Sequence, residues 1–141
     1  MQIDALSHLD HGLSPEHVAL LLNLFASREG FFIETVEIPE GLPSLDCGLY
    51  GPIVGDPPIP DADVTMSRRG GREGLSRTID RPYRPSRLLT VIAGTREDGG
   101  PTILYTAFGG PLAPREPWDP LNNETERAES KAFWAQHALV L

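Results

Sequence analysis

The stretches that decide the fold are residues 88–93, LLTVIA, and residues 102–108, TILYTAF. Both are rich in β-branched and aromatic residues, which fit the pleated, half-buried surface of a sheet. Residues 96–101, REDGGP, lie between them and supply the glycine and proline chemistry of a turn. The pattern predicts an antiparallel β-hairpin whose second strand ends at residues 109–111, GGP.

A helix is predicted to begin at Ser14, well before the hairpin. Ser14, Pro15 and Glu16 place a capping hydroxyl, a proline in the first turn and an acid at the positive end of the helix dipole. One face of this helix carries the apolar residues Val18, Leu21, Leu22 and Phe25, and Gly30 ends it. Residues 31–38, FFIETVEI, alternate imperfectly and predict a strand that stops at Pro39.

The rest of the sequence predicts a long loop, two short strands and a final helix. Residues 40–63 are dense in proline and glycine and predict a long ordered loop. Residues 63–68 and 76–79 predict two short strands joined through Gly70 and Gly71. Asn122 or Asn123 can cap a final helix. Its apolar residues include Ala128, Ala132, Phe133, Trp134, Ala138 and Leu139.

These elements together predict an α+β fold with an N-terminal helix, a small antiparallel sheet with a late hairpin, and a C-terminal helix. The length of 141 residues suits one domain, so residues 1–141 are expected to form a single globular domain.

Composition and motifs narrow the class of protein. The longest apolar runs, such as residues 18–22, are far shorter than the roughly 20 residues that span a bilayer, so no membrane segment is expected. Residues 1–12 do not resemble a secretory signal, and Cys47 is the single cysteine, so the predicted location is the cytoplasm. No P-loop, GxGxxG, GxSxG, HExxH or EF-hand pattern is present, and no cofactor is predicted.

The net charge of -8 hides a strong segregation of charge along the chain. Residues 1–67 contain eleven acids and one base, residues 68–96 contain eight arginines and two acids, and residues 97–141 contain seven acids and three bases. The three balances of -10, +6 and -4 add to -8. The basic middle segment is a candidate anion site, because arginine binds carboxylates and phosphates through a planar fork of donors. The other interpretation is that the acidic ends neutralise it as an internal ion-pair network.

Candidate site residues follow from this segregation. His137 is predicted to act as a general acid or base, near Ser130, Phe133 and Trp134 on one helix face. Arg77 and Arg87 are the predicted catalytic arginines. The predicted substrate-binding residues are Arg72, Arg84, Tyr105 and Thr106, although strict alternation along a strand would let only one of the last two face a cleft.

His8, Asp10, His11 and His17 have side chains of the type that ligate metals. Their spacing matches no established zinc pattern, and Cys47 brings no second thiol. No metal site is therefore predicted.

The hairpin segments SRLLTVIAG and TILYTAFGG, together with the arginines, His137, Tyr105 and Thr106, resemble the small α+β ribonucleases that group barnase, colicin-type tRNases and RelE-like toxins. The resemblance covers the chain from Arg68 onward and lies in architecture and residue types. It implies that general acid–base residues activate a ribose 2′-hydroxyl while arginines stabilise the phosphate, roles that would fall to His137, Arg77 and Arg87. The acidic net charge and the loop at 40–63 depart from the family's pattern.

Three functions follow from these observations. The first is a phosphate-binding domain that cleaves RNA, and the second is a non-enzymatic protein-binding or regulatory module with segregated acidic and basic surfaces. The third is binding of another anionic metabolite by the same arginines. An RNA-cleaving site should gather His137 with at least two of Arg72, Arg77 and Arg87 around one concave surface. A binding module should instead show them apart and covered by Asp or Glu.

Overall fold

The computed structural model describes residues 14–26, 29–52, 58–95 and 102–141. In these residues the helices are α1 (Pro15–Ala26) and α2 (Glu124–Trp134), with a short 3-10 helix at Asp61–Asp63. The strands are β1 (Phe32–Glu37), β2 (Leu45–Cys47), β3 (Leu49–Tyr50), β4 (Val64–Arg68), β5 (Leu75–Ile79), β6 (Arg84–Ser86), β7 (Leu88–Thr95), β8 (Thr102–Gly109) and β9 (Ala138–Val140).

The chain divides into two compact units, each formed from two stretches of sequence. The first unit is Met1–Cys47 with Pro85–Leu112, and the second is Gly48–Arg84 with Ala113–Leu141. The predicted hairpin thus belongs to the first unit, whereas most of the arginine-rich segment belongs to the second.

The first unit contains strands β1, β7, β8 and β2 of a five-stranded sheet in the order β1-β7-β8-β2-β6. The predicted hairpin is confirmed, since β7 and β8 pair antiparallel, and β1 pairs antiparallel with the other edge of β7. Its core includes Leu21 of α1, Leu89 and Val91 of β7 and Leu104 of β8, all essentially inaccessible to solvent.

Ser14 caps α1 as predicted, because its hydroxyl accepts a hydrogen bond from the backbone N–H of His17. The side chains of Leu22 and Phe25 and the turn at 96–101 lie outside the described residues.

A β-bulge changes the faces of β8. The register of the hairpin shifts between Ile92 and Ala93, and Leu104 and Ala107 are both buried although they are three residues apart. The extra residue breaks strict alternation, and Tyr105 is exposed whereas Thr106 is partly buried.

The second unit contains a four-stranded sheet in the order β3-β9-β5-β4. The strands predicted at 63–68 and 76–79 are confirmed as the antiparallel pair of β4 and β5, with Met66 opposite Arg77. Helix α2 begins with a complete capping box, in which the side chain of Asn123 accepts from the N–H of Glu126 and the side chain of Glu126 accepts from the N–H of Asn123.

The α+β class is correct, but the predicted purely antiparallel sheet is not. Both sheets are mixed, because β2 pairs parallel with β8 and β5 pairs parallel with β9. The predicted loop at 40–63 contains β2, β3 and the 3-10 helix, and its residues 53–57 lie outside the described part of the chain. Among the described residues, no helix is both long and apolar enough to cross a membrane.

Candidate functional site

The arginine-rich segment is extensively bonded to groups of the protein itself. The buried carboxylate of Glu116 accepts hydrogen bonds from Arg69 at 3.0 Å and from Arg72 at 2.8 Å. The hydroxyl of Ser76 also approaches this carboxylate, at 3.4 Å. The side chain of Glu116 is only 6% exposed, whereas those of Arg69 and Arg72 are 44% and 52% exposed. Two half-exposed guanidinium groups therefore share one buried carboxylate.

Arg77, a predicted catalytic residue, also contacts protein groups. Its NH2 group lies 3.3 Å from the carboxylate of Asp61, and its Nε donates to the backbone carbonyl of His137 at 3.4 Å. Arg77 and His137 are thus brought together, but through the backbone of the histidine and not through its ring.

The ring of His137 is held by contacts at the end of α2. The helix ends at Trp134, so the predicted helix was too long. His137 lies between α2 and β9, and Ala138 and Leu139 belong to β9. The Nδ1 atom of His137 is 2.8 Å from the carbonyl oxygen of Phe133. The imidazole ring of His137 also stacks on the phenyl ring of Phe133, with the ring centroids 3.9 Å apart. A Cβ atom at Gly51 would overlap the imidazole, so glycine is required for this close approach.

Two further arginines surround Tyr50. The guanidinium of Arg84 lies 3.7 Å from the centre of the Tyr50 ring, and Arg81 donates to the Tyr50 hydroxyl at 3.2 Å. Arg81 also forms an ion pair with Asp63 at 2.7 Å. Hydrogen bonding from Arg84, and secondly from Arg81, stabilises the phenolate and holds the pKa of Tyr50 below its ordinary value of 10.0.

An alkaline titration tests this arrangement. We expect Tyr50 to ionise at lower pH in the folded chain than in the unfolded chain, and Arg84→Gln to raise its pKa more than Arg81→Gln does. Because the folded pKa is lowered, the associated stabilisation is complete above the unfolded pKa and is lost as pH falls through the folded pKa. The measurement is phenolate absorbance, and Tyr50→Phe identifies the Tyr50 component among the three tyrosines. An unchanged Tyr50 transition in Arg84→Gln would contradict the assignment.

Arg87 lies in the first unit and binds backbone carbonyls. Its guanidinium donates to the carbonyl oxygens of Leu42 at 2.6 Å, Ile38 at 3.0 Å and Pro39 at 2.6 Å. These carbonyls belong to the segment that follows β1, so Arg87 stabilises the path of the chain between β1 and β2.

Tyr105, also in the first unit, is half exposed and packs near Phe31, with ring centroids 6.2 Å apart.

A small apolar cleft in the second unit lies beside the Glu116 ion pairs. It has a volume of about 180 Å³, and its lining residues are Met66, Leu75, Ser76, Arg77, Glu116, Pro117, Trp118 and Trp134. Met66 and Leu75 are large apolar side chains that remain 55% and 49% exposed. The Trp118 ring packs against Gly74 so closely that a Cβ there would overlap it. We call this feature the Glu116 cleft.

The residues with metal-ligand chemistry do not assemble in the described part of the chain, where no group of three or more His, Cys, Asp or Glu side chains could hold a metal ion. His17 is buried and its ring nitrogens contact Ser14 and the Pro43 carbonyl oxygen. His8, Asp10 and His11 lie outside the described residues.

Sequence reasoning missed Glu116, Trp118 and Tyr50. Glu116 is one acid among 20, and nothing local distinguishes it from the exposed ones. A usable signal for Trp118 was the rarity of tryptophan, since the chain has only two and both line the Glu116 cleft.

Comparison of this chain with protein-family models, with curated proteins and with solved structures gives no match to any of them. The likeness to small ribonucleases therefore stays a prediction.

Proposed function

We propose that this chain is a non-enzymatic protein-binding module that uses the Glu116 cleft. The observation that supports this proposal most directly is that the predicted site arginines are bonded to groups of the protein itself. Arg72 and Arg77 are each paired with a carboxylate, and Arg87 is bonded to three carbonyl oxygens. Of the two patterns expected from the sequence, the pairing of Arg72 and Arg77 with acidic side chains favours a binding module.

The exposed residues of the second unit support the same function. Met66 and Leu75 line the Glu116 cleft and present apolar surface to solvent, and Arg69 pairs with Glu116 beside them. An apolar centre beside a polar, arginine-containing rim is the usual composition of a protein-binding surface. A cavity of about 150 Å³ can hold a benzene molecule, so this cleft is large enough for one apolar side chain.

The test is selection of a displayed library of random heptapeptides on the immobilised chain. We expect binders whose affinity falls at least about tenfold with Leu75→Asp or Met66→Asp, because a charge would be placed in the apolar contact. Leu121→Asp is the matched control, since Leu121 is 71% exposed and does not line the cleft. Failure to obtain any binder sensitive to Leu75→Asp would overturn the proposal.

An RNA-cleavage assay tests the competing function. We expect no cleavage by the wild-type chain beyond that of a buffer blank, and no change with Arg77→Ala or His137→Ala. Cleavage by the wild type that is lost in both variants would establish the ribonuclease function and would contradict the proposal.

A further inference from the structure

We infer that the Glu116 cleft takes an acidic–apolar segment of a protein partner, with an apolar side chain in the cleft and an Asp or Glu carboxylate on Arg69 and Arg72. This inference rests on the proposed function and names the chemistry of its partner. It rests on the balance of charge at Glu116 and on the N–H donors of Arg69 and Arg72 that Glu116 does not use.

The charge balance around Glu116 is incomplete. The NH1 groups of Arg69 and Arg72 both approach Oε1 of this single carboxylate, at 3.0 and 2.8 Å. Two positive charges against one negative charge leave an excess of one. A second carboxylate would neutralise that excess and reduce the repulsion between the two guanidinium groups.

The arginines also have donors available for such a ligand. Their contacts with Glu116 use NH1 alone. A guanidinium has five N–H donors, so the Nε and NH2 groups of both side chains are not used by Glu116. Since the two side chains are 44% and 52% exposed, a carboxylate can approach them from solvent.

The apolar half of the ligand follows from the lining of the cleft. Met66, Leu75, Pro117 and the two tryptophans supply carbon surface, and Glu116 lies in the same lining. The side chain that enters and the carboxylate that binds the arginines must therefore be close along the partner chain. An extended segment places side chains that are two residues apart on the same face, which meets this requirement.

The matching experiment begins with the peptides selected above. We expect an apolar residue with Asp or Glu within two positions in the enriched sequences. A synthetic copy of the best binder, acetylated and amidated so that it has no terminal charges, is then compared with its Asp→Asn or Glu→Gln counterpart. Binding is followed by tryptophan fluorescence, which reports on this site because both tryptophans of the chain line the cleft.

The decisive measurement is a double-mutant cycle between Arg72 and the peptide carboxylate. We expect Arg72→Gln to raise the Kd of the acidic peptide about tenfold and to leave the Kd of the amide peptide nearly unchanged. A merely structural loss at Arg72 would weaken both peptides equally. Arg81→Gln is the control, because Arg81 is a partly exposed arginine paired with Asp63 and does not line the cleft.

The outcomes separate the two proposals. Binders that depend on Leu75 but tolerate replacement of every acid by its amide would overturn the acidic partner and leave the binding module intact. Equal weakening of both peptides by Arg72→Gln would also overturn it. Absence of any binder that depends on Leu75 would remove the proposed function itself, and displacement of the peptide by a short RNA would contradict the choice of a protein partner.

Discussion

Glu116→Ala is expected to lower the free energy of unfolding by about 3 kcal/mol. The wild-type carboxylate is buried and accepts hydrogen bonds from Arg69, Arg72 and Ser76. Its removal leaves two guanidinium groups that converge on an empty position and repel each other. The free energies of unfolding of the wild type and the variant are measured by urea denaturation. They are compared provided that the slope of the free energy against urea concentration is the same for both proteins.

Two further variants make the result interpretable. Glu116→Gln keeps the shape and loses the charge, so we expect a smaller loss of about 2 kcal/mol. Glu129→Ala removes an exposed acid of α2 and should change stability by less than about 0.5 kcal/mol. Equal effects of Glu116→Ala and Glu129→Ala would show that the Glu116 ion pairs contribute nothing specific.

His17→Ala is expected to destabilise the first unit by about 3 kcal/mol. The side chain has no solvent exposure and joins two distant parts of the chain. Nδ1 accepts from the Ser14 backbone N–H at 2.9 Å, and Nε2 donates to the Pro43 carbonyl at 2.8 Å. Nδ1 is also 2.8 Å from the Ser14 hydroxyl. Alanine would remove all three contacts and leave a cavity at the start of α1.

The control for this prediction is Asn23→Ala, which alters an exposed residue of the same helix and should change stability by less than about 0.5 kcal/mol. Hydrogen exchange of the α1 amides gives a second measurement. We expect faster exchange in His17→Ala, because the helix start loses its connection to Pro43. Unchanged stability together with unchanged exchange would contradict the role assigned to His17.

The elements that were predicted well have local causes. Ser14 with Pro15, and Asn123 with Glu126, act within a single helical turn, so the starts of both helices could be recognised from short stretches. The β7–β8 hairpin was recognisable because its β-branched and aromatic residues are consecutive. The sequence signal for the β4–β5 pair was less distinct, since only the glycines between the two strands indicated a turn.

The elements that were missed depend on distant partners. β2, β3 and β9 have only three, two and three residues, too few for a periodic pattern. Each exists through pairing with a remote strand, as when Leu49 of β3 lies opposite Leu139 of β9. His137 was placed in a helix for the same reason, because the strand that follows it is stabilised by Thr78 and Ile79 and not by its own sequence.

The sequence by itself determined the α+β class, the helix starts, the central hairpin and the basic character of the middle segment. These properties come from side-chain size, capping chemistry and charge, which act over a few residues. Only the tertiary structure decided how the arginines are used, because Glu116 meets Arg72 across a separation of 44 residues. An ion pair depends on which charges the folded chain brings within a few ångströms, and composition carries no information about that distance.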